Sequence, residues 1–353
     1  MTFTQQEVIK ALSHVDDPDL KKDLVTLNMI RNIQIEGNNL SFSVYLTTPA
    51  CPLKEHIENA CRTAISHFIS PDITVNITMT AEVMADNKAT AQLPHVKNII
   101  AIASGKGGVG KSTVSASLAA ILNQYGAKVG LLDADIYGPS IPLMFGVQNA
   151  QIEMTVVDGK EYMQPINVNG VQLFSIGFLS KPDEAIVWRG PMISQALKQF
   201  INGVNWGELD YLIIDLPPGT GDVQLTLVQT LPITGAVIVT TPQNMAIADA
   251  QRAAAMFAMP SINVPILGII ENMAYFSPPD MPDKKYHIFG QGGAEKLATL
   301  YNTKVLGQLP LQESIMNELD TGKLTDITLR NFSDIAKKLA QSIAIQNSEN
   351  NKK

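Results

Sequence analysis

The chain has little that would staple it, anchor it or coat it in charge. Two cysteines in 353 residues cannot make a disulfide framework. A chain of this length closes a core without one, and at about 150 residues per domain it reads as roughly two domains. No apolar run approaches the ~18 residues of a membrane-spanning helix. The opening MTFTQQEVIK has no basic stretch leading into an apolar one, so no secretory leader is expected. Lysine and arginine form no run and the formal net charge is −7, which argues against a dedicated surface for nucleic acid or anionic membrane. What remains is a globular composition, 45% hydrophobic and 17% charged. The expectation is a soluble cytoplasmic protein with neither nucleic acid nor membrane as partner.

The first eighty-odd residues read as a small α/β domain, 1–84. Val8, Ile9 and Leu12 fall at helical spacing, and residues 29–35 and 40–47 alternate apolar and polar around Glu36-Gly37-Asn38-Asn39, a hairpin signal. Pro52 is expected to open a helix reaching about Ile69, and residues 73–79 alternate again, giving the order α-β-β-α-β. Residues 85–97 are polar and without period, hence a linker. In 98–345 six short apolar runs (98–104, 128–133, 210–215, 235–241, 265–271 and 303–309) alternate with helical stretches. Such runs suit strands buried on both faces, so a mostly parallel sheet covered by helices is expected. Phe332, Ile335, Leu339 and Ile343 line one face of a closing helix, and 346–353 read as a polar tail.

Residues 105–112, Gly-Lys-Gly-Gly-Val-Gly-Lys-Ser, follow a strand and precede a helix, matching the phosphate-loop pattern G-x-x-x-x-G-K-[ST]. Gly105, Gly107, Gly108 and Gly110, with Val109 between the last two, let backbone N–H groups turn onto phosphate oxygens, and the helix N-terminus formed by Lys111, Ser112 and Thr113 adds partial positive charge. Lys111 can reach the β- and γ-phosphates, and the Ser112 hydroxyl can ligate Mg²⁺. Gly105, Gly107 and Gly110 also satisfy the dinucleotide pattern G-x-G-x-x-G, with Asp133 near the place of a ribose-binding acid. Lys111-Ser112 argues against that reading, since a dinucleotide site has no use for a metal-binding hydroxyl there. Asp215 supports a nucleoside triphosphate: it ends another apolar run ahead of Leu-Pro-Pro-Gly-Thr-Gly-Asp and can hold Mg²⁺, while the loop beyond it can sense the γ-phosphate. Asp133 and Asp135, in Leu-Leu-Asp-Ala-Asp, are the candidates for the metal's neighbourhood and for positioning attacking water respectively.

Together these strings make the chain resemble the Mrp/ApbC family of iron–sulfur cluster carrier ATPases, within the MinD/ParA class of P-loop NTPases. The resemblance rests on Gly105–Thr113, on Asp133-Ala-Asp-Ile-Tyr-Gly-Pro-Ser140, on Asp215-Leu-Pro-Pro-Gly-Thr-Gly-Asp222, on Glu271-Asn-Met273 and on Ile288-Phe289-Gly290. It implies ATP and Mg²⁺ as ligands, and a homodimer in which Lys106, the second residue of this "deviant" loop, reaches the partner's nucleotide. It also implies that Asn272 reads the adenine base. The N-terminal domain is similar to a small iron–sulfur-assembly domain, with Leu46-Thr-Thr-Pro-Ala-Cys-Pro52 as its signature.

If Pro52 takes the first helical position, Cys51 is the N-cap, where the helix dipole should favour the thiolate needed for an iron–sulfur cluster. Cys61, about 15 Å further along that helix, reads as core. One departure from the family is plain. Its usual Cys-x-x-Cys between Glu-Asn-Met and Ile-Phe-Gly is replaced by a segment with no cysteine, where Met281 and His287 are the nearest substitutes and a solvated loop is the plainer reading. The expectation is therefore an ATPase that carries clusters to apoproteins or assembly proteins, against an adaptor ATPase of the same fold without direct cluster binding. A positioning ATPase lacks the basic surface it would need, and a reductase-like electron carrier would need cysteines inside the ATPase domain.

Overall fold

The computed structural model describes residues 3–136, 138–179, 202–324 and 326–350. Tyr137 of the Asp-Ile-Tyr-Gly-Pro-Ser string and residues 351–353 of the expected tail lie outside the described residues. The chain divides into two compact units, Met1–Met84 with Ala340–Lys353, and Ala85–Leu339.

In the smaller unit the helix Gln5–Leu12 starts from a reciprocal cap: the Thr4 hydroxyl accepts from the Glu7 amide and the Glu7 carboxylate accepts from the Thr4 amide. Strands Ile30–Glu36 and Asn39–Leu46 pair antiparallel, closing at Glu36 opposite Asn39. Strand Thr74–Ala81 then lies parallel to Asn39–Leu46, with helix Lys54–Phe68 as the crossover. Leu12, Leu40, Phe42, Ile57, Cys61 and Ile65 are buried together. The α-β-β-α-β order is present, with a further two-residue pair, Asp16–Asp17 against Lys22–Asp23. One boundary moves. Residues 52 and 53 form a turn, and the first helical carbonyl is that of Leu53, which accepts from the Ile57 amide at 2.9 Å. The N-cap is Leu53 and the helix begins at Lys54, not at Pro52, so Cys51 stands outside it.

The larger unit is built on an eight-stranded sheet in the order Ile166–Val168, Val171–Ser175, Val129–Asp133, Tyr211–Asp215, Ile99–Ala103, Gly235–Thr240, Ile266–Tyr275, Val305–Pro310. All pairs are parallel except the first. The six apolar runs read from the sequence are all strands. Ile99–Ala103, Val129–Asp133, Tyr211–Asp215 and Gly235–Thr240 are buried at every position, as strands covered by helices on both faces must be. From Ile99–Ala103 the chain goes to Val129–Asp133 on one side and later to Gly235–Thr240 on the other. The crevice at the C-terminal end of that central strand is therefore the topological switch point where such sheets bind ligands.

Several features depart from the sequence reading, among them an antiparallel pair, Met154–Val157 against Lys160–Met163. The hairpin Ile166–Val168/Val171–Ser175 was not expected, although its Asn169-Gly170 turn, with φ of +51° and +94°, is a strong two-residue hairpin signal. The expected linker contains a short helix, Asn87–Gln92, whose N-cap Asp86 accepts from the Lys88 amide at 3.0 Å; six residues with two alanines as their only apolar members show no apolar period. The expected tail continues the helix Asp326–Asn350, because Asn347 is buried there and donates to the Met84 carbonyl at 2.9 Å. Anchoring by a side-chain amide leaves no hydrophobic pattern to read. Among the described residues no helix is long and apolar enough to cross a membrane.

Candidate functional site

Residues 104–110 leave the central strand and wrap the N-terminus of helix Lys111–Gln124. Two glycines here have no substitute. A Cβ on Gly105 would lie 2.0–2.4 Å from the backbone of Asp249 and Ala250 in helix Asn244–Ala258. Gly110, at φ +83°, caps the helix in a left-handed conformation and presses against the Asn272 amide. The loop encloses a cavity of about 220 Å³ onto which Lys106, Lys111, Ser112, Asp135 and Pro218 open. A roomier cavity of about 490 Å³ is lined by His95, Tyr162 and Trp206. Residue 95 leads into the central strand, so that space lies at the opposite end of the sheet, away from the glycine loop.

Beneath the smaller cavity the sheet register sets polar side chains in a row. Asp215 pairs with Asp133, and Asp133 pairs with Ser175. The Asp215 carboxylate, wholly buried, accepts at Oδ2 from the Ser112 hydroxyl (2.6 Å) and the Lys111 ammonium (2.8 Å), and at Oδ1 from the Ser115 hydroxyl (2.6 Å). Ser112 and Ser115 stand one helical turn apart and grip one oxygen each. Lys111 is also 3.7 Å from Asp135, which opens onto the cavity. Hard oxygens from Ser112 and Asp215, side by side under a cradle of amides, fit a magnesium ion and its phosphate ligands.

Asp133, expected in the metal's neighbourhood, lies beside Asp215 and behind the cavity wall. It is fully buried and accepts from the Ser175 hydroxyl (2.9 Å) and from the Asp135 and Ile141 amides. Burial first, then the neighbouring Asp215 carboxylate, push its carboxyl far above the usual carboxylate range. It braces the loop that presents Asp135, and it does not open onto the cavity. Ser115 and Ser175 escaped the sequence reading because nothing local marks them. Only the fold aligns them with the carboxylates.

Asn272, expected at the adenine base, lies against the phosphate loop. Its Nδ2 donates to the Val109 carbonyl at 2.9 Å, and its Oδ1 accepts from the Met273 amide at 3.0 Å. Glu271, wholly buried, accepts from the Ala294 amide and the Gln308 side chain. Beyond them Phe276 and Tyr286 exchange backbone hydrogen bonds and close the segment that lacks cysteine. His287 donates from Nδ1 to the Ala274 carbonyl (3.0 Å), and Met281 is exposed.

In the smaller unit, Cys51 is half-buried outside the helix that was to lower its pKa. Burial pushes the thiol up, outweighing the Leu53 backbone contact, and the Asp19 and Asp17 carboxylates add to the rise. The expectation of a stabilised thiolate is thus corrected: the helix begins too late, and acids rather than the dipole's positive end face the sulfur. Cys61 is a fully buried core residue, its thiol pushed up to about 12. Alkylation of Cys51 by iodoacetamide should therefore be slow at neutral pH and climb about tenfold per pH unit up to and past pH 9. Mass spectrometry of quenched time points reads the rate, and a plateau near pH 7 would contradict the structure.

Comparison with known proteins places these two units. A family described as ParA, NUBPL iron-transfer P-loop NTPase, matches residues 95–346, and one described as iron–sulfur cluster assembly protein matches residues 5–77. The chain is 48% identical over 325 residues to the iron–sulfur cluster carrier protein of a Synechocystis species, covering 91% of this chain and 90% of that protein. It is 42% identical over 344 residues to the iron–sulfur cluster carrier protein of Escherichia coli K12, covering 96% and 91%. Among solved structures, a nucleotide-binding protein from Archaeoglobus fulgidus in complex with ADP superposes with a TM-score of 0.59 at 38% identity, over 69% of this chain and 94% of that one.

Proposed function

Since the chain belongs to the NUBPL-type iron-transfer P-loop NTPases, we propose that it is an ATP-hydrolysing carrier that delivers iron–sulfur clusters to apoproteins in the cytoplasm, working as a nucleotide-gated homodimer. The observation that carries the ATPase half is the buried grip of Lys111, Ser112 and Ser115 on Asp215 directly under the glycine loop. Lys111 there contacts the Asp215 and Asp135 carboxylates at the place where the phosphates would enter.

The glycine-loop amides and Lys111 would hold the β- and γ-phosphates, and Ser112 and Asp215 would hold the magnesium ion. When bound, that ion neutralises charge on the phosphates. Asp135 orients water for attack in line with the leaving ADP, and Lys106 of a second copy supplies charge to the transferred phosphoryl group. The loop after Asp215 is tied to the phosphate loop, since the Gly219 amide donates to the Ser104 carbonyl at 2.8 Å and Gln224 to that of Pro218. Loss of the γ-phosphate is thereby felt at the helix beginning with Asp222.

The cargo needs thiolates, and the chain offers one half-buried cysteine and one core cysteine. A Cys51 pair from two chains, completed by thiols of a partner or of small molecules, is the ligand set we propose. Metal binding can itself displace the proton that burial retains on the sulfur. Iron and acid-labile sulfide, measured after anaerobic reconstitution of wild type and Cys51→Ser, test this directly. About one cluster per dimer, lost in the variant, is expected. A cluster retained in Cys51→Ser would move the site elsewhere, and no cluster in either protein with hydrolysis intact would overturn the carrier reading in favour of an adaptor.

A further inference from the structure

We infer that Ser115 is a positioning residue for the Asp215 carboxylate, holding one oxygen from within the core so that the other stays turned toward the metal's place. The helix Lys111–Gln124 sets Ser112 and Ser115 three residues apart, on one face and about 4.5 Å along the axis. Each hydroxyl meets a different oxygen of the same carboxylate at 2.6 Å, Ser112 at Oδ2 and Ser115 at Oδ1. Ser112 opens onto the cavity under the glycine loop, whereas Ser115 is fully buried and does not. The two serines therefore have different tasks. Lys111 and Ser112 are the groups that phosphate and metal would engage, so their bonds to Oδ2 compete with ligands. Ser115 has no ligand to serve, and its hold on Oδ1 is independent of the nucleotide.

A serine inside a helix can donate back to the carbonyl four residues earlier. That option is open here, since the Lys111 carbonyl lies 3.1 Å from the Ser115 hydroxyl. The Asp215 oxygen is closer, at 2.6 Å, and belongs to a carboxylate, and a hydroxyl has a single proton to give. The proton is thus committed to Asp215. Among the described residues Ser115 is the only donor to Oδ1, while Oδ2 has both Ser112 and Lys111. Without Ser115 a wholly buried oxygen would lack a donor, and the carboxylate would turn about its Cβ–Cγ bond to share those on the other side. That rotation moves Oδ2 away from Ser112. Burial alone does not create such a contact. Ser117 of the same helix is equally buried, and its hydroxyl has no partner among the described residues.

This role rests on the phosphate-loop reading above, and the experiment separates the failure of one from that of the other. Binding of a fluorescent ADP analogue is measured first in EDTA and then during a Mg²⁺ titration, for wild type, Ser115→Ala, Ser115→Cys and Ser117→Ala. Contacts from the loop amides and Lys111 to phosphate need no metal, so binding in EDTA reports an intact loop. Ser115→Cys keeps the shape with a weaker donor and covers the case that Ser115→Ala fails to fold. For Ser115→Ala the expected result is binding in EDTA within about twofold of wild type and a Mg²⁺ midpoint raised about tenfold. Ser115→Cys should shift the midpoint the same way by less, and Ser117→Ala, which loses the same atom but no bond, should leave it in place. A wild-type midpoint in Ser115→Ala (or in Ser115→Cys, should the alanine variant not fold) would overturn the inference. So would an equal shift in Ser117→Ala, or a loss of binding in EDTA as large as the shift in Mg²⁺. Wild type indifferent to Mg²⁺ would overturn the metal assignment of Asp215, and wild type that bound no analogue at all the phosphate-loop reading; either takes this inference with it.

Discussion

Lys111→Ala is expected to lower the hydrolysis rate by at least about 10³-fold and to make the protein markedly easier to melt. The first effect follows from removing the one side chain of the loop that reaches the γ-phosphate. The second follows from burial: Lys111 and Asp215 are 6% and 0% exposed and 2.8 Å apart. Removing the cation leaves a carboxylate in a dry interior, with two serine hydroxyls as its remaining partners. Breaking a buried pair from one side costs about 3–5 kcal/mol, and at about 2–4 °C per kcal/mol the melting temperature should fall by roughly 10 °C. Phosphate release assayed at 20 °C, below both transitions, separates chemistry from unfolding. Hydrolysis within tenfold of wild type would remove Lys111 from the mechanism.

Lys106→Ala should behave differently, and the contrast identifies which lysine serves which chain. Lys106 opens onto the cavity but is not part of the buried network around Asp215. Nucleotide binding and melting temperature should therefore be nearly unchanged, while hydrolysis falls by about 10³-fold, as it does when a cation completing the transition state in trans is lost. Complementation gives the sharper reading. Asp135→Asn is expected to be inactive in its own site yet to offer its partner an intact Lys106. An equal mixture with Lys106→Ala would then form heterodimers in half of its pairings, each with one working site, and recover about a quarter of the wild-type rate. No recovery on mixing, with dimers demonstrated by light scattering, would place Lys106 in its own chain's site.

What could be read from the sequence divides along a physical line. Features encoded by neighbouring residues were legible. The covered strands announced themselves as apolar runs, the loop at 105–112 by glycine spacing, and Asp215 by its position at a strand's end. Features that depend on strand order were not. Asp133 and Asp215 lie 82 residues apart in the chain and face each other only because Tyr211–Asp215 inserts beside Val129–Asp133. Ser175 joins them through a strand whose neighbour in the sheet precedes it by some forty residues. Cys51 shows a subtler failure. Cys-Pro predicted a cap, but a turn at residues 52–53 delays the helix, and two positions suffice to exchange the dipole's favourable end for burial beside acids. For Asn272, the residue was visible and its contact with the Val109 carbonyl was not, because a backbone partner is reported by no pattern of side chains.

The discontinuous smaller unit bears on the order of synthesis. Its apolar core closes among residues 3–81, all of which leave the ribosome before the first glycine of the phosphate loop. The segment that completes the unit, beginning at Ala340, is made after the whole of Ala85–Leu339. Domains fold largely as they emerge, so the nascent chain can assemble the unit that bears Cys51 first and the nucleotide site second. The hydrogen bond from Asn347 to Met84 forms only once both of those stretches have been made. A ribosome stalled within the helix Asp326–Asn350 would have made the phosphate loop while still withholding the segment from Ala340 that the smaller unit needs.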